Sequence, residues 1–177
     1  MMKDWNIVKV EGILKVEGLK KFIAENHYLG ESMPKGCRHV FVLYSKKKII
    51  GAAVYGIPAG RNCYSKYGHD IVELRRFVLK EGLPKNTGSW FMARCHKQLR
   101  EYNILSYSDP AQGHTGTLYK AANFTHLGKQ RQGSSRIMYK GKIMFAQGNK
   151  SKRIPINKKK IVYMAKKDIW FLKNNKG

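Results

Sequence analysis

An α/β fold, a mixed central sheet flanked by helices, is predicted by three observations. β-rich runs alternate with helical patterns along the chain, two of those runs are close enough to form a hairpin, and the run at 104–108 ends in a concentration of polar residues. Ligands bind at the carboxyl ends of strands in open α/β sheets, so the passage I-L-S-Y-S-D-P-A-Q-G-H-T-G-T-L-Y-K-A-A-N-F-T-H-L-G over 104–128 marks a site before its ligand is known.

Val16, Leu19 and Ile23 recur at helical spacing, which predicts a helix over 16–27 as the first element, ending near the H-Y-L-G turn at 27–30. Runs at 38–44 and 49–55, split by Ser45-Lys46-Lys47-Lys48, predict an antiparallel hairpin. Residues 57–67 read as loop. A third strand is predicted over 71–79, and after the G-L-P-K-N-T-G break a helix over 89–102 sets Met92, Cys95 and Leu99 on one face. The strand at 104–108 stops at Asp109-Pro110, Gly113 to Gly116 form a turn, and a helix follows over 117–124. Short strands at 125–129 and 136–140 are joined through R-Q-G-S-S. The expected organisation is one catalytic domain over 1–147 and a basic segment over 148–177 that contacts nucleic acid or packs in part on the domain.

Lys and Arg number 35 against 11 Asp and Glu, a formal charge of +24 that points to a polyanionic partner. After Asp109 the sole acidic residue is Asp168, against sixteen Lys and Arg over 120–176, so that half carries about +15. Phosphate contacts of this kind give affinity without sequence information and weaken steeply with salt. A solvated basic surface is the alternative reading. Tyr139, Phe145, Tyr163, Trp170 and Phe171 interleave with the charge, as base-stacking residues or as core.

Cys37, Cys63 and Cys95 make no C-x-x-C pair and no even set, which fits a reducing, cytoplasmic compartment and disfavours a cysteine zinc site. The chain has no apolar stretch of about 18 residues, so no membrane span is expected.

The order helix, hairpin, strand, helix, strand, helix, strand pair resembles the GNAT acetyltransferase fold, in which a central strand splays from its neighbour and admits an acyl donor, here beside the strand at 71–79. Where that fold carries a glutamine- or arginine-rich glycine loop for the cofactor pyrophosphate, this chain has Leu83-Pro84-Lys85-Asn86-Thr87-Gly88-Ser89. The helix-start amides around Asn86, Thr87 and Gly88, together with Lys85, suit an anion such as the phosphates of coenzyme A.

Five motifs carry a sharper resemblance: H-Y-L-G at 27–30, G-A-A-V-Y-G-I-P at 51–58, E-L-R-R-F-V-L at 73–79, K-N-T-G-S-W-F at 85–91, and S-Y-S-D-P with G-H-T-G-T-L-Y-K-A-A-N-F at 106–124. Over roughly residues 26–128 they are similar to the Mom family of bacteriophage DNA modification proteins. The resemblance implies a GNAT-like core that places a carbamoylmethyl, glycinamide-like group on adenine N6 of phage DNA inside the infected bacterial host cell, shielding it from restriction. It implies site residues at His27, Tyr28, Arg76, Ser89, Asp109 and Tyr119, and an iron site that would draw on His27, Tyr28, Asp109 and Tyr119.

The chemistry of these positions can be argued separately. The lone pair of adenine N6 is delocalised into the ring, so an enzyme must hydrogen-bond the amino group and accept a proton; Asp109, the only acidic residue in its passage, fits that work. An Asp-Pro turn is the structural alternative. At a strict period of two, Arg76 shares a face with Val72, Leu74 and Val78, with Glu73 opposite, and a carboxylate, phosphate or carbonyl is expected to meet its charge. Ser89 stands at the expected helix start, as N-cap or as site residue. Tyr119 has three roles open: proton donor, stacking partner of a flipped base, or metal ligand. His27 follows Ile23 by four, so a packed histidine competes with a site role for His27 and Tyr28. His114 and Asn123 are weaker candidates, as turn cap and helix end.

The partner expected is double-stranded DNA with adenine flipped out, at a cost of a few kcal/mol. Acetyl-coenzyme A is the donor the fold suggests, yet acetyl transfer alone leaves an amide on N6. A glycine-derived donor such as glycyl-tRNA would supply the methylene and make tRNA a further partner. Two other readings stay open: a GNAT-type N-acetyltransferase acting on a protein or small-molecule amine, and a non-catalytic nucleic-acid-binding protein.

Overall fold

The computed structural model describes residues 4–10, 16–27, 34, 36–60, 62–130, 134–139, 142–145, 154–158 and 160–174. Its elements are β1 (Trp5–Val10), α1 (Leu19–Asn26), β2 (Cys37–Ser45), β3 (Lys48–Gly56), α2 (Cys63–Tyr67), β4 (Ile71–Leu79), α3 (Thr87–Lys97), β5 (Asn103–Ser108), α4 (Thr117–Ala121), β6 (Thr125–Lys129), β7 (Ser134–Tyr139), β8 (Lys142–Phe145), β9 (Lys160–Ala165) and β10 (Asp168–Leu172). A seven-stranded sheet runs β1-β2-β3-β4-β5-β10-β6, and a three-stranded sheet runs β8-β7-β9. The large sheet is mixed: β4 and β5 pair in parallel, and the other described neighbours pair antiparallel. The α/β class is as the sequence predicts.

Both faces of the large sheet are covered. On one, α3 sets Phe91, Met92 and Cys95 against Tyr55, Leu74 and Ile104. On the other, Leu19 and Ile23 of α1 pack on Val40, Val54 and Val78, while Cys63 of α2 packs on Ile71 and Leu105. Each such apolar side chain taken from water contributes about 1.5–3 kcal/mol. The β2–β3 hairpin turns at Lys46 and Lys47, with φ of 46° and 65°, the left-handed pair that matches strand twist.

The structure departs from the sequence reading in several places: the helix expected over 117–124 ends at Ala121, and the strands expected as a joined pair at 125–129 and 136–140 lie in different sheets. A strand, β1, precedes the first helix, and that helix begins at Leu19, after Gly18 has turned left-handed at φ 75°. Residues 57–67 are not all loop, because 63–67 form α2. The third helix starts two residues before Ser89 and ends at Lys97, short of 102. Within 148–177, β10 is a strand of the large sheet, inserted antiparallel between β5 and β6.

Candidate active site

The pairing of β4 with β5 stops at Leu74 opposite Ser106. β4 runs on to Leu79 and β5 only to Ser108, so the two strands part at the carboxyl end of the sheet. The parting coincides with a β-bulge. Tyr55 of β3 faces Leu74 and Val54 faces Arg76, which leaves Arg75 as the extra residue on β4.

The bulge corrects the predicted facing of Arg76. Period two would put Arg76 with Val72 and Leu74, but one inserted residue reverses every side chain beyond it. Val72 and Leu74 face α3, together with Phe77 after the bulge, whereas Arg76 pairs with Val54 and lies with Val78 on the α1 face. Glu73 is therefore on the same side as Arg76, not opposite.

On that side a group of charges collects. Glu73 is 7% exposed; its carboxylate accepts the Ala59 N–H at 2.7 Å and lies 3.6 Å from Arg75 Nε. Burial pushes the Glu73 carboxyl up, against the opposing pull of the Ala59 N–H, Arg75, Lys167 and Arg76. Arg75 donates to the Ile57 carbonyl at 2.9 Å, and Arg76, 8% exposed, donates to the Arg75 carbonyl at 2.7 Å. His27 ends α1, its N–H bonded to the Ile23 carbonyl at 3.0 Å. Burial first, then the charges of Arg76, His114 and Lys167, hold His27 down to about 4, so its ring is neutral at pH 7.

The other side is built on β5. Ser106 and Ser108 alternate onto the α3–α4 face at 0% and 1% exposure, and Asp109, at 0%, follows at the strand end. The Asp109 carbonyl accepts the Gln112 N–H at 2.9 Å, opening a 3-10 turn over Pro110–Gln112, so the expected Asp-Pro turn is present. Its carboxyl group is nonetheless enclosed by protein. Ser106 donates to the Tyr119 hydroxyl at 3.0 Å and lies 3.4 Å from the Leu74 carbonyl at the parting of the strands. Burial raises the Tyr119 phenol above its ordinary value, against the Ser106 hydrogen bond, so Tyr119 stays protonated at neutral pH. Its ring is stacked on Trp170 at 5.4 Å and 11°, and the Trp170 indole N–H donates to Ser108 at 2.9 Å.

A cavity of about 300 Å³ opens here, lined by Phe77 and residues 113–119. It adjoins the start of α3, where a Cβ on Gly88 would meet Leu118 Cδ1 at 2.9 Å. The α3 N-cap is Asn86, at φ 67° and without a side-chain cap bond. Ser89 is thus not the cap that its position suggests; it lies in the first turn and donates to the Asn86 carbonyl at 3.1 Å. Thr87 likewise bonds the Pro84 carbonyl at 2.6 Å.

The structure puts Tyr119 on the α3–α4 side of the parted strands and Arg76 on the α1 side, where Arg76 acts on the charge of His27, with Asp109 buried at the end of β5 between them in the chain and Lys85, Asn86, Thr87, Gly88 and Ser89 at the start of α3. Tyr28 lies outside the described residues. Sequence reasoning did not single out Ser106 and Ser108, and named Trp170 only among the aromatics interleaved with charge, not as a residue of this site. The S-Y-S spacing could have flagged the serines, whereas Trp170 has no local signal. Among the described residues no group of three or more His, Cys, Asp and Glu comes together to hold a metal. The Tyr119 phenol, raised by burial and protonated at neutral pH, does not fit an iron ligand, which would be a phenolate. No helix among the described residues is long and apolar enough to cross a membrane.

Burial also holds His96 of α3, 7% exposed, down to about 4. A depressed folded value means that below pH 6.5 the unfolded chain takes up protons that the folded chain refuses. Stability is then complete above about pH 6.5 and declines toward pH 4, by on the order of 3 kcal/mol for a histidine as buried as His96. Melting temperature followed from pH 7 to pH 4 should show this decline, and His96→Leu should remove much of it.

Solved structures with the same architecture define the class. The chain superposes on the GNAT family acetyltransferase from Elizabethkingia anophelis with acetyl-CoA bound at a TM-score of 0.55 and 11% identity, covering 96% of this chain and 97% of that one. For the Bacillus subtilis acetyltransferase in complex with CoA the values are 0.56, 12%, 95% and 97%, and for an alanine N-acetyltransferase of a ribosomal protein from Escherichia coli 0.58, 11%, 95% and 92%. This is a GNAT acetyltransferase fold. No curated protein matches by sequence. The chain belongs to the Mom protein family, whose model matches residues 9–173.

Proposed function

We propose that the chain is a phage DNA hypermodification enzyme that adds a carbamoylmethyl group to adenine N6, protecting the DNA from host restriction. Membership of the Mom family and the acetyltransferase fold support a transferase that acts in DNA modification. The observation that carries the reading is the protonated Tyr119 lining a cavity of about 300 Å³ where β4 and β5 part, with Asp109 buried at the end of β5.

In this reading Asp109 accepts the N6 proton as the bond from nitrogen to the incoming carbon forms, and Tyr119 hands its proton to the departing group of the donor. Asp109 is fully buried and does not line the cavity, so its contact with substrate requires the 110–116 turn to shift. The Tyr119 ring is already stacked on Trp170, which favours the proton-donor role over stacking on a flipped base. Arg76 and the charges around it suit the phosphates on either side of that base.

A coenzyme A thioester fits the features at the start of α3. The first-turn amides of Gly88 and Ser89, with Lys85, would hold its phosphates, and Phe77 and Leu118 would flank its arm. That group supplies an activated acyl carbon. The carbamoylmethyl product requires a glycine-derived donor instead, or in addition, and the charge of +24 suits glycyl-tRNA as well as DNA.

Mass spectrometry of nucleosides from plasmid DNA in expressing cells tests the reading. A new deoxyadenosine adduct of about 57 mass units is expected. An acetyl-sized adduct would establish acetylation instead, and unmodified DNA beside soluble protein would overturn the proposed reaction.

A further inference from the structure

Trp170 is the residue through which the C-terminal strand enters the site. It is 3% exposed and stands in register with Ser106 of β5 on one side and His126 of β6 on the other. Its ring stacks on Tyr119 at 5.4 Å, and His126 lies 4.7 Å from it, held by the Asp168 carboxylate at 3.0 Å. Its indole N–H reaches Ser108 at 2.9 Å. An indole nitrogen can only donate, so this bond fixes both the ring and the hydroxyl it meets. Ser108 is the last residue of β5 and the neighbour of Asp109. One side chain thus touches Tyr119 with its face and the strand end before Asp109 with its N–H.

We propose that Trp170 is a positioning residue for the transfer, orienting the Tyr119 phenol and the Ser108–Asp109 strand end from β10. The proposal rests on the transferase reading above. It makes the C-terminal strand part of the catalytic centre, because a misplacement of about 1 Å in a reacting group lowers rates on the order of a hundredfold.

A purely packing role is the competing explanation, since Trp170 also belongs to the core between the sheet and α3–α4. The two separate on mild variants. Trp170→Phe keeps a ring over Tyr119 and removes the N–H, while Ser108→Ala removes only its acceptor. Each should lower the yield of modified deoxyadenosine about tenfold per soluble protein, with melting temperature down by only a few degrees, and the double variant should fall no further, because both changes break one bond. Wild-type yield in Trp170→Phe, losses that multiply in the double variant, or losses that track unfolded protein would overturn the proposal.

A second measurement stands apart from the reaction. The chain has three tryptophans, so the ¹⁵N-labelled protein gives three indole N–H signals. The one that disappears in Trp170→Phe should exchange slowly with deuterium and shift in Ser108→Ala. Fast exchange or an unmoved signal would overturn the link to the strand end. A wild type that modifies no DNA yet shows the slow, Ser108-sensitive signal would overturn the reaction and leave that link standing.

Discussion

Asp109→Asn is expected to reduce the yield of modified deoxyadenosine by ~10²–10⁴-fold while the protein remains soluble and folded, the range usual for loss of a general base. The choice of asparagine matters. Asn caps turns as well as Asp does, so if Asp109 served only to open the 3-10 turn through Gln112, the variant would behave as wild type. Asn also matches the carboxyl group in volume, and at 0% exposure any larger or smaller side chain would perturb packing as well as charge. What Asn cannot do is accept a proton. Nucleoside yield per folded protein, with melting temperature alongside, checks the outcome. Full yield in Asp109→Asn would remove Asp109 from the chemistry and move the search for the base to Glu73, the other buried carboxylate at the parting of the strands, whose carboxyl burial pushes upward.

How much of this was legible in the sequence depends on whether the deciding contacts were local. The strand Ile71–Leu79 is apolar at six of its nine positions, on both faces because both are covered, and its limits match the prediction. The hairpin and the strand before Asp109 were similarly clear. β1 was not, because an edge strand with one neighbour buries few side chains: its pattern is half-buried positions set among exposed ones. α2 is five residues long, too short for helical spacing to repeat. β10 lies in a stretch whose lysines read as a basic segment that contacts nucleic acid or packs in part on the domain, and its partners β5 and β6 are about 40 residues or more away in sequence. The bulge at Arg75 escaped for another reason. Nothing in R-R marks an inserted residue, yet that insertion decides which face Arg76 occupies. The site was therefore legible where S-Y-S-D-P and G-T-L-Y lie close in the chain, and illegible where Trp170 arrives from about 60 residues away.

Gly116→Ala is expected to destabilise the fold by about 2–4 kcal/mol and to abolish modification, the second large effect among these variants. Two costs add. Gly116 sits at φ 77°, a left-handed conformation that costs an L-residue about 1 kcal/mol. A Cβ there would also lie 2.1 Å from Trp170 Cζ2 and 2.7 Å from Cη2, an overlap that something must relieve. The indole has little room to retreat, since Tyr119 is stacked on it and Ser108 holds its N–H. Gly113 provides the internal control: at φ 73° it has the same backbone conformation, but a Cβ added there would meet nothing within 4 Å, so Gly113→Ala should lose only the backbone contribution of about 1 kcal/mol. Denaturant midpoints of the two variants separate the terms, their difference measuring how firmly Trp170 is held. If the two glycines respond alike, the ring yields without resistance, and the geometry linking Tyr119, Ser108 and Asp109 is softer than the contacts around Trp170 require.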